Sequence, residues 1–173
     1  MLWDTMALPF VAKLPKASMG EGVWLIESRA DWLKYCDRTD VLYVQEYLPI
    51  DRDVRVVVVG DQVVTAYWRT QSEQGFYNNV ARGGQIVAGD VPTAATDLAL
   101  RLARELEVDH AGFDIALVEG YPYVLEFNRL FGNQGLGQGS DLKDAILDYL
   151  QRQSRPQDPD GPTEPTPLWP IAV

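Results

Sequence analysis

The chain has 173 residues, 46% of them apolar, and a formal net charge of -10, which leaves room for one domain with a real core and too little for two ordinary ones. The surplus of negative charge excludes nucleic-acid phosphates and anionic membranes as main partners, because both are repelled by it. Cys36 is the only cysteine and no apolar run reaches membrane-spanning length, so an intramolecular disulfide, a thiolate zinc site and a spanning helix are excluded and a cytoplasmic location is expected.

In chain order, residues 9–13 read as a short apolar strand and residues 23–26 as a second. Between them runs PKASMGEG, a glycine-bearing loop. Strand, loop and strand make a flap whose backbone amides can wrap phosphates, with Lys13 and Lys16 supplying positive charge. The GxxxxGK[ST] spacing is absent, so this is no Walker loop, and taken alone the segment is better explained as an ordinary hairpin loop. Ser28 and Asp31 form a capping-box-like start to a short helix that contains Trp32, Leu33, Tyr35 and Cys36. Residues 41–47 read as a strand that exits through Gln45, Glu46, Tyr47 and Leu48. Such an exit leaves backbone groups free for an adenine edge, or is simply an edge strand closed by Pro49.

Four valines, Val56 to Val59, and residues 63–69 flank Gly60-Asp61 and predict a buried hairpin. Arg55 and Arg69 lie on its two arms, and whether they share a face depends on how many residues the turn holds. Residues 70–84 are polar and irregular, with Asn78-Asn79 and Arg82-Gly83-Gly84. Thr93 is expected to cap a helix reaching about residue 107, with Ala95, Ala99, Leu102, Ala103 and Leu106 as its core stripe. His110, the only histidine, reads as a loop residue, and no serine sits in a nucleophile motif that would recruit it into a triad.

Residues 112–128, GFDIALVEGYPYVLEFN, read as a second hairpin turning near Glu119-Gly120. In the register that sets Asp114 opposite Glu126, Ala116 faces Val124. Phe113, Ile115, Leu117, Tyr123, Leu125 and Phe127 then fall on the other, apolar face. Asp114, Glu126 and Asn128 share the polar face, and cross-strand neighbours roughly 5 Å apart suit two carboxylates and an amide oxygen around a hard cation such as magnesium. Any antiparallel hairpin alternates in this way, so taken alone the pattern fits a solvated face better. A glycine-rich loop over residues 131–139 leads to a last helix, capped by Ser140 or Asp141, in which Leu142, Ile146, Tyr149 and Leu150 share a face. Six prolines from Pro156 to Pro170 exclude regular structure, giving an expected domain over residues 1–151 and an extended proline-rich tail over residues 152–173.

The order of these signals resembles the ATP-grasp superfamily, most closely its RimK-type ligases that add glutamate to carboxylates: lysine strand, glycine flap, Gln-Glu-Tyr strand, arginine hairpin, Asn with Arg-Gly-Gly, helix, then Asp…Glu-x-Asn. The similarity runs from about Pro9 to Leu150. It implies an α+β, ATP-grasp-like fold of antiparallel sheets and packed helices, and an ATP- and Mg2+-dependent carboxylate-amine ligase, with Mn2+ as a substitute ion, working through an acyl phosphate. Carried over by position, Lys13 contacts ATP phosphates and Ser18, Gly20 and Gly22 belong to the flap that closes over them. Gln45, Glu46, Tyr47 and Leu48 bind adenine and Asp53 reaches the ribose. Arg55, Arg69, Asn79 and Arg82 act near the acceptor and the moving phosphoryl group, and Asp114, Glu126 and Asn128 hold magnesium.

Three departures from the family accompany this. The usual N-terminal domain is expected to be missing, so the chain is expected to be either a fragment of a longer ligase or a subunit whose cleft a partner chain or a second copy completes. Ala81 stands where a histidine is common, and Asn128-Arg129-Leu130-Phe131-Gly132 replaces an Asn followed by Ser-Pro-Gly beside the acceptor. The alternative is a non-catalytic remnant that binds nucleotide or a partner. A glycosidase built on the paired carboxylates would leave the lysine, the flap and the arginines without a role.

Overall fold

The computed structural model describes residues 2–16, 22–70, 85–87, 89–131 and 140–154. The expected calls at Ser18, Gly20, Asn79, Ala81 and Arg82, and the proline run, lie outside them. Two antiparallel sheets carry the described chain. The smaller has the order β2-β1-β3, from β1 (Phe10–Lys13), β2 (Val23–Ile26) and β3 (Tyr43–Glu46). The larger adds β4 (Arg52–Val59), β5 (Gln62–Thr70), β6 (Ile86–Val87), β7 (His110–Val118) and β8 (Tyr121–Asn128), in the order β6-β5-β4-β7-β8. Three helices pack with them, α1 (Arg29–Cys36), α2 (Thr93–Glu105) and α3 (Ser140–Gln153). The expected α+β class with antiparallel sheets holds. Among the described residues no helix is long and apolar enough to cross a membrane.

Each sheet buries one face under a helix. Phe10, Ala12 and Ile26 pack with Trp32 and Tyr35 of α1. Val54, Val56, Val58, Phe113 and Ile115 pack with Ala95, Ala99 and Ala103 of α2. Each of these fully buried valine, isoleucine and phenylalanine side chains contributes roughly 1.5–3 kcal/mol, and the alanine stripe lets α2 lie close to the sheet. Ser28 caps α1 as expected: its hydroxyl accepts from the Asp31 N–H at 3.3 Å and donates to the Asp31 carboxylate at 2.6 Å. Thr93 does not cap α2. Pro92 holds that position without a side-chain hydrogen bond and Thr93 is the first helical residue, because a proline fixes the extended entry that a cap would otherwise set. α3 runs to Gln153, two residues past the expected domain end. Its Tyr149 lies on Gly60, where an added Cβ would come within 2.5 Å of the ring.

Candidate active site

The face of the larger sheet opposite α2 owes its charges to two bulges. The β4–β5 turn holds two residues, Gly60 and Asp61. Continued without interruption, it would set Arg69 opposite Arg52 and send Arg55 to the other face. However, Val58 pairs with Val63 while Val57 pairs with Thr65, so Val64 is an extra residue in β5. Beyond it Asp53 faces Arg69 and Arg55 faces Tyr67. The question left open by the sequence is thereby answered: both arginines share a face.

The β7–β8 hairpin does the same. Glu119 and Gly120 have φ of 51° and 85°, the two positive values of a type I′ turn. That turn alone would place Asp114 opposite Leu125 and Glu126 opposite the core residue Phe113. Leu125 is instead skipped, Asp114 meets Glu126 and Gly112 meets Asn128. The expected Asp114–Glu126 register therefore holds at the polar end only. Ala116 faces Tyr123 rather than Val124, and Val124 pairs with Ile115. Tyr123, expected on the apolar face, thus turns to the face of Asp114.

On this face two aspartates and two arginines form a buried neutral set. Arg69 is bidentate on Asp53, with Nε and Nη2 each donating at 2.8 Å, and Nη2 also reaches Asp114 Oδ2 at 2.9 Å. Arg55 Nη2 donates to Asp114 Oδ2 at 3.1 Å. Arg55 Nε lies against Asp114 Oδ1 without hydrogen-bond alignment. Burial opposes the charge of Arg69, yet its hydrogen bonds to Asp53 and the charges of Asp114 and Asp53 outweigh that and raise its pKa. Tyr67, between the arginines, has its hydroxyl pKa raised by burial, against the lowering effect of Arg55 and Arg69.

Lys13 comes to this face from the smaller sheet. Burial lowers its pKa, while the charges of Glu126 and Asp114 oppose the shift and show which side chains it approaches. Its backbone is held by Tyr35, whose buried hydroxyl donates to the Lys13 carbonyl at 2.8 Å and accepts from the Tyr43 N–H at 3.0 Å. Tyr35 was legible only as a helix residue. Gln45 pairs with Val11 and so shares the Lys13 face, whereas Glu46 pairs with Phe10. Tyr47 and Leu48 follow the end of β3. At the base of the flap the Leu14 N–H donates to the Gly22 carbonyl at 2.7 Å.

Phe131, expected only as part of the segment beside the acceptor, packs against Arg55. Its ring lies 6.0 Å from the Arg55 guanidinium and stacks at 5.0 Å on His110. His110 is the first residue of β7, not a loop residue. Both side chains cross over Gly112, where an added Cβ would meet Arg55 Nη1 at 2.9 Å and Phe131 at 3.2 Å. Gly112→Ala should therefore cost about 1–3 kcal/mol of stability by overpacking, since Arg55 is pinned to Asp114 and cannot swing aside freely. Urea unfolding checks this, and a variant as stable as the parent would show that the stack yields without loss.

The oxygen set near Lys13 suits a hard cation. Asp114 Oδ1 is buried without an aligned hydrogen bond among the described residues, and Asn128 donates its amide N–H to Glu126 at 3.0 Å, which leaves its carbonyl oxygen as a donor atom. Among the described residues no three Asp, Glu, His or Cys side chains gather as a metal site. Two carboxylates and one amide are what remains, a set that fits magnesium when water and substrate phosphates complete its shell.

A family model, the RimK-like ATP-grasp domain, matches residues 3–150. The ribosomal protein bS6–L-glutamate ligase of Escherichia fergusonii is 34% identical over 157 residues, covering 86% of this chain and 52% of that protein. The chain thus spans about half the length of the curated relatives it matches. Among solved structures, D-alanine–D-alanine ligase from Bacillus anthracis superposes with a TM-score of 0.70 at 16% identity, covering 88% of this chain and 57% of that one. A RimK domain ATP-grasp protein from Sphaerobacter thermophilus gives 0.61 at 23%, covering 83% and 53%. With a family model matched over most of its length, this chain belongs to the RimK-like ATP-grasp family.

Proposed function

We propose that this chain supplies the nucleotide-binding and phosphoryl-transfer face of an ATP- and Mg2+-dependent carboxylate-amine ligase. The observation that carries the reading is the shared face of Arg55, Arg69, Asp114, Glu126 and Asn128, with Lys13 brought to it from the other sheet. ATP-grasp ligases use ATP and magnesium in general. In this reading Asp114, Glu126 and Asn128 would hold the magnesium, which would offset phosphate charge when bound. Lys13 neutralises the phosphates, and Gln45, Glu46, Tyr47 and Leu48 bind the base. Arg69 faces the charge that builds on the moving phosphoryl group, and Arg55 orients the acceptor carboxylate. The flap residues Ser18, Gly20 and Gly22, with Asn79 and Arg82, complete the phosphate and acceptor contacts. An amine then attacks the acyl phosphate and inorganic phosphate leaves, so no protein nucleophile is needed.

The relative named for joining L-glutamate to ribosomal protein bS6 makes L-glutamate the first amine to try. In this reading the catalytic unit extends through α3 to Gln153. Thermal shift with ATP, with and without Mg2+, tests the proposal. Stabilisation by Mg2+ and ATP together is expected, and Glu126→Gln, at an exposed position, should remove the magnesium-dependent part while leaving the unliganded melting temperature unchanged. No stabilisation in the parent would refute nucleotide binding. Stabilisation without ADP release across candidate carboxylates would favour a binding remnant.

A further inference from the structure

Asp53 was expected at the ribose, and its geometry argues for another task. Both of its oxygens accept from Arg69 at 2.8 Å, and its side chain is 4% exposed. A ribose contact needs a carboxylate oxygen that the sugar can reach. Arg69 tells the complementary story. A guanidinium has five N–H donors in one rigid plane. The Nε hydrogen and one Nη2 hydrogen go to Asp53, and the second Nη2 hydrogen goes to Asp114. The two Nη1 hydrogens remain, and among the described residues nothing accepts from them. Because the plane is rigid, a bidentate grip on its Nε–Nη2 edge also sets the direction of Nη1. Asp114 could not do this alone, since it touches a single nitrogen of Arg69 and is shared with Arg55. The two anchors come from different strands, Asp53 from β4 and Asp114 from β7, so the guanidinium is held from two sides.

We propose that Asp53 is a positioning residue that fixes Arg69 with its Nη1 edge toward the nucleotide phosphates, and that it does not contact the nucleoside. This rests on the nucleotide-binding reading above and deepens it. It also separates two roles that share one face: Asp53 and Arg69 form a phosphate-sensing pair, while base and sugar are read elsewhere. The contrast between phosphate and nucleoside makes the idea testable without knowing the acceptor.

The test is titration of the full chain with Mg2+ and ATP, and separately with adenosine, followed by NMR, for the parent and for Asp53→Asn. The expected result is an adenosine affinity within about twofold of the parent and an ATP affinity lower by roughly tenfold or more, as for loss of one charge-assisted contact. A role in general stability would weaken both ligands alike. If adenosine binding falls as far as ATP binding, Asp53 contacts the nucleoside or supports the whole site, and the proposal is overturned. Should Asp53→Asn fail to fold, the neutral pair Asp53→Asn with Arg69→Gln removes both buried charges. That double variant is expected to keep adenosine binding and lose the preference for ATP, and loss of adenosine binding there overturns the proposal too. A parent that binds neither ligand defeats the nucleotide reading itself, an outcome distinct from a parent that binds both and a variant that loses both. The Nε–H signal of Arg69 gives an independent check. In the parent it should exchange slowly, and exchange as fast as a solvated guanidinium rules out the bidentate grip.

Discussion

Asp114→Ala is expected to lower the free energy of unfolding by about 3–5 kcal/mol, as breaking a buried ion pair from one side does. The reason is charge balance. Asp53, Arg55, Arg69 and Asp114 are all buried, with side-chain exposures of 4–10%, and together they are neutral. Removing Asp114 leaves two guanidiniums and one carboxylate, and that carboxylate is already committed to Arg69. Arg55 then keeps its charge in a site with little water. Denaturant unfolding should show a lower midpoint with an unchanged slope. A loss below about 1 kcal/mol would mean that water enters the face and solvates Arg55, which would make the set a surface network of small worth. Because Asp114 serves both the ion network and the proposed magnesium site, loss of ATP binding in this variant would not by itself identify a ligand. Glu126, exposed and outside the arginine network, is the cleaner probe.

Lys13→Ala should weaken ATP binding by roughly 10- to 100-fold, the worth of about 1.5–3 kcal/mol for a charge-assisted hydrogen bond to phosphate. The parent should also show a pH signature. In the free protein burial lowers the Lys13 pKa below its ordinary value near 10.5, although Glu126 and Asp114 resist that. Bound phosphates add negative charge beside it and raise the pKa in the complex. By linkage ATP affinity is then flat while Lys13 is charged in both states, and it falls as pH rises through the window between the free and bound pKa values. Because the free value is lowered, the decline begins at a less alkaline pH than an ordinary lysine would give. Calorimetric titration across alkaline pH measures it, with Lys13→Arg as the control, since a guanidinium stays charged throughout. An identical decline in Lys13→Arg would assign the titration to another group.

Tyr35 explains why this lysine is so well placed to act. Its hydroxyl joins the backbones of Lys13 and Tyr43, so the base of the Lys13 side chain is fixed while its ammonium lies 5.8 Å from the Tyr43 ring. Phe131 and Gly112 do the same for Arg55 from above. Neither support was legible in the sequence. Tyr35 read as one more apolar residue of a helix, and Gly112 as the start of a strand. A glycine kept for close approach of a distant side chain has no local mark, because its conformation can be ordinary.

The elements themselves were legible to within a few residues. Alternation with a period of two marked β7 and β8, the valine run marked the central strand, and the Ser28–Asp31 pair marked the start of α1. The caps of α2 and α3 were misread: Thr93 and Ser140 are the first helical residues rather than caps, and at α2 Pro92 had already set the chain direction. His110 was misplaced because a polar residue that follows Asp109, ahead of the apolar alternation, reads as a loop. In fact it pairs with Val59 at the first rung of β7, and its ring is covered by Phe131.

By itself the sequence determined which residue types were present to bind a nucleotide and which segments would be strands and helices, since both follow from local order along the chain. Only the tertiary structure decided which of those side chains face one another. In a strand the face of every residue depends on whether the count back to the turn is odd or even, so one extra residue reverses all that lie beyond it. Val64 and Leu125 are those extra residues. Nothing in their identity sets them apart from their neighbours. The extra Val64 gathers Asp53, Arg55, Arg69 and Asp114 into one neutral set, a form in which such charges can be buried together, and the extra Leu125 brings Glu126 and Asn128 to the face of Asp114.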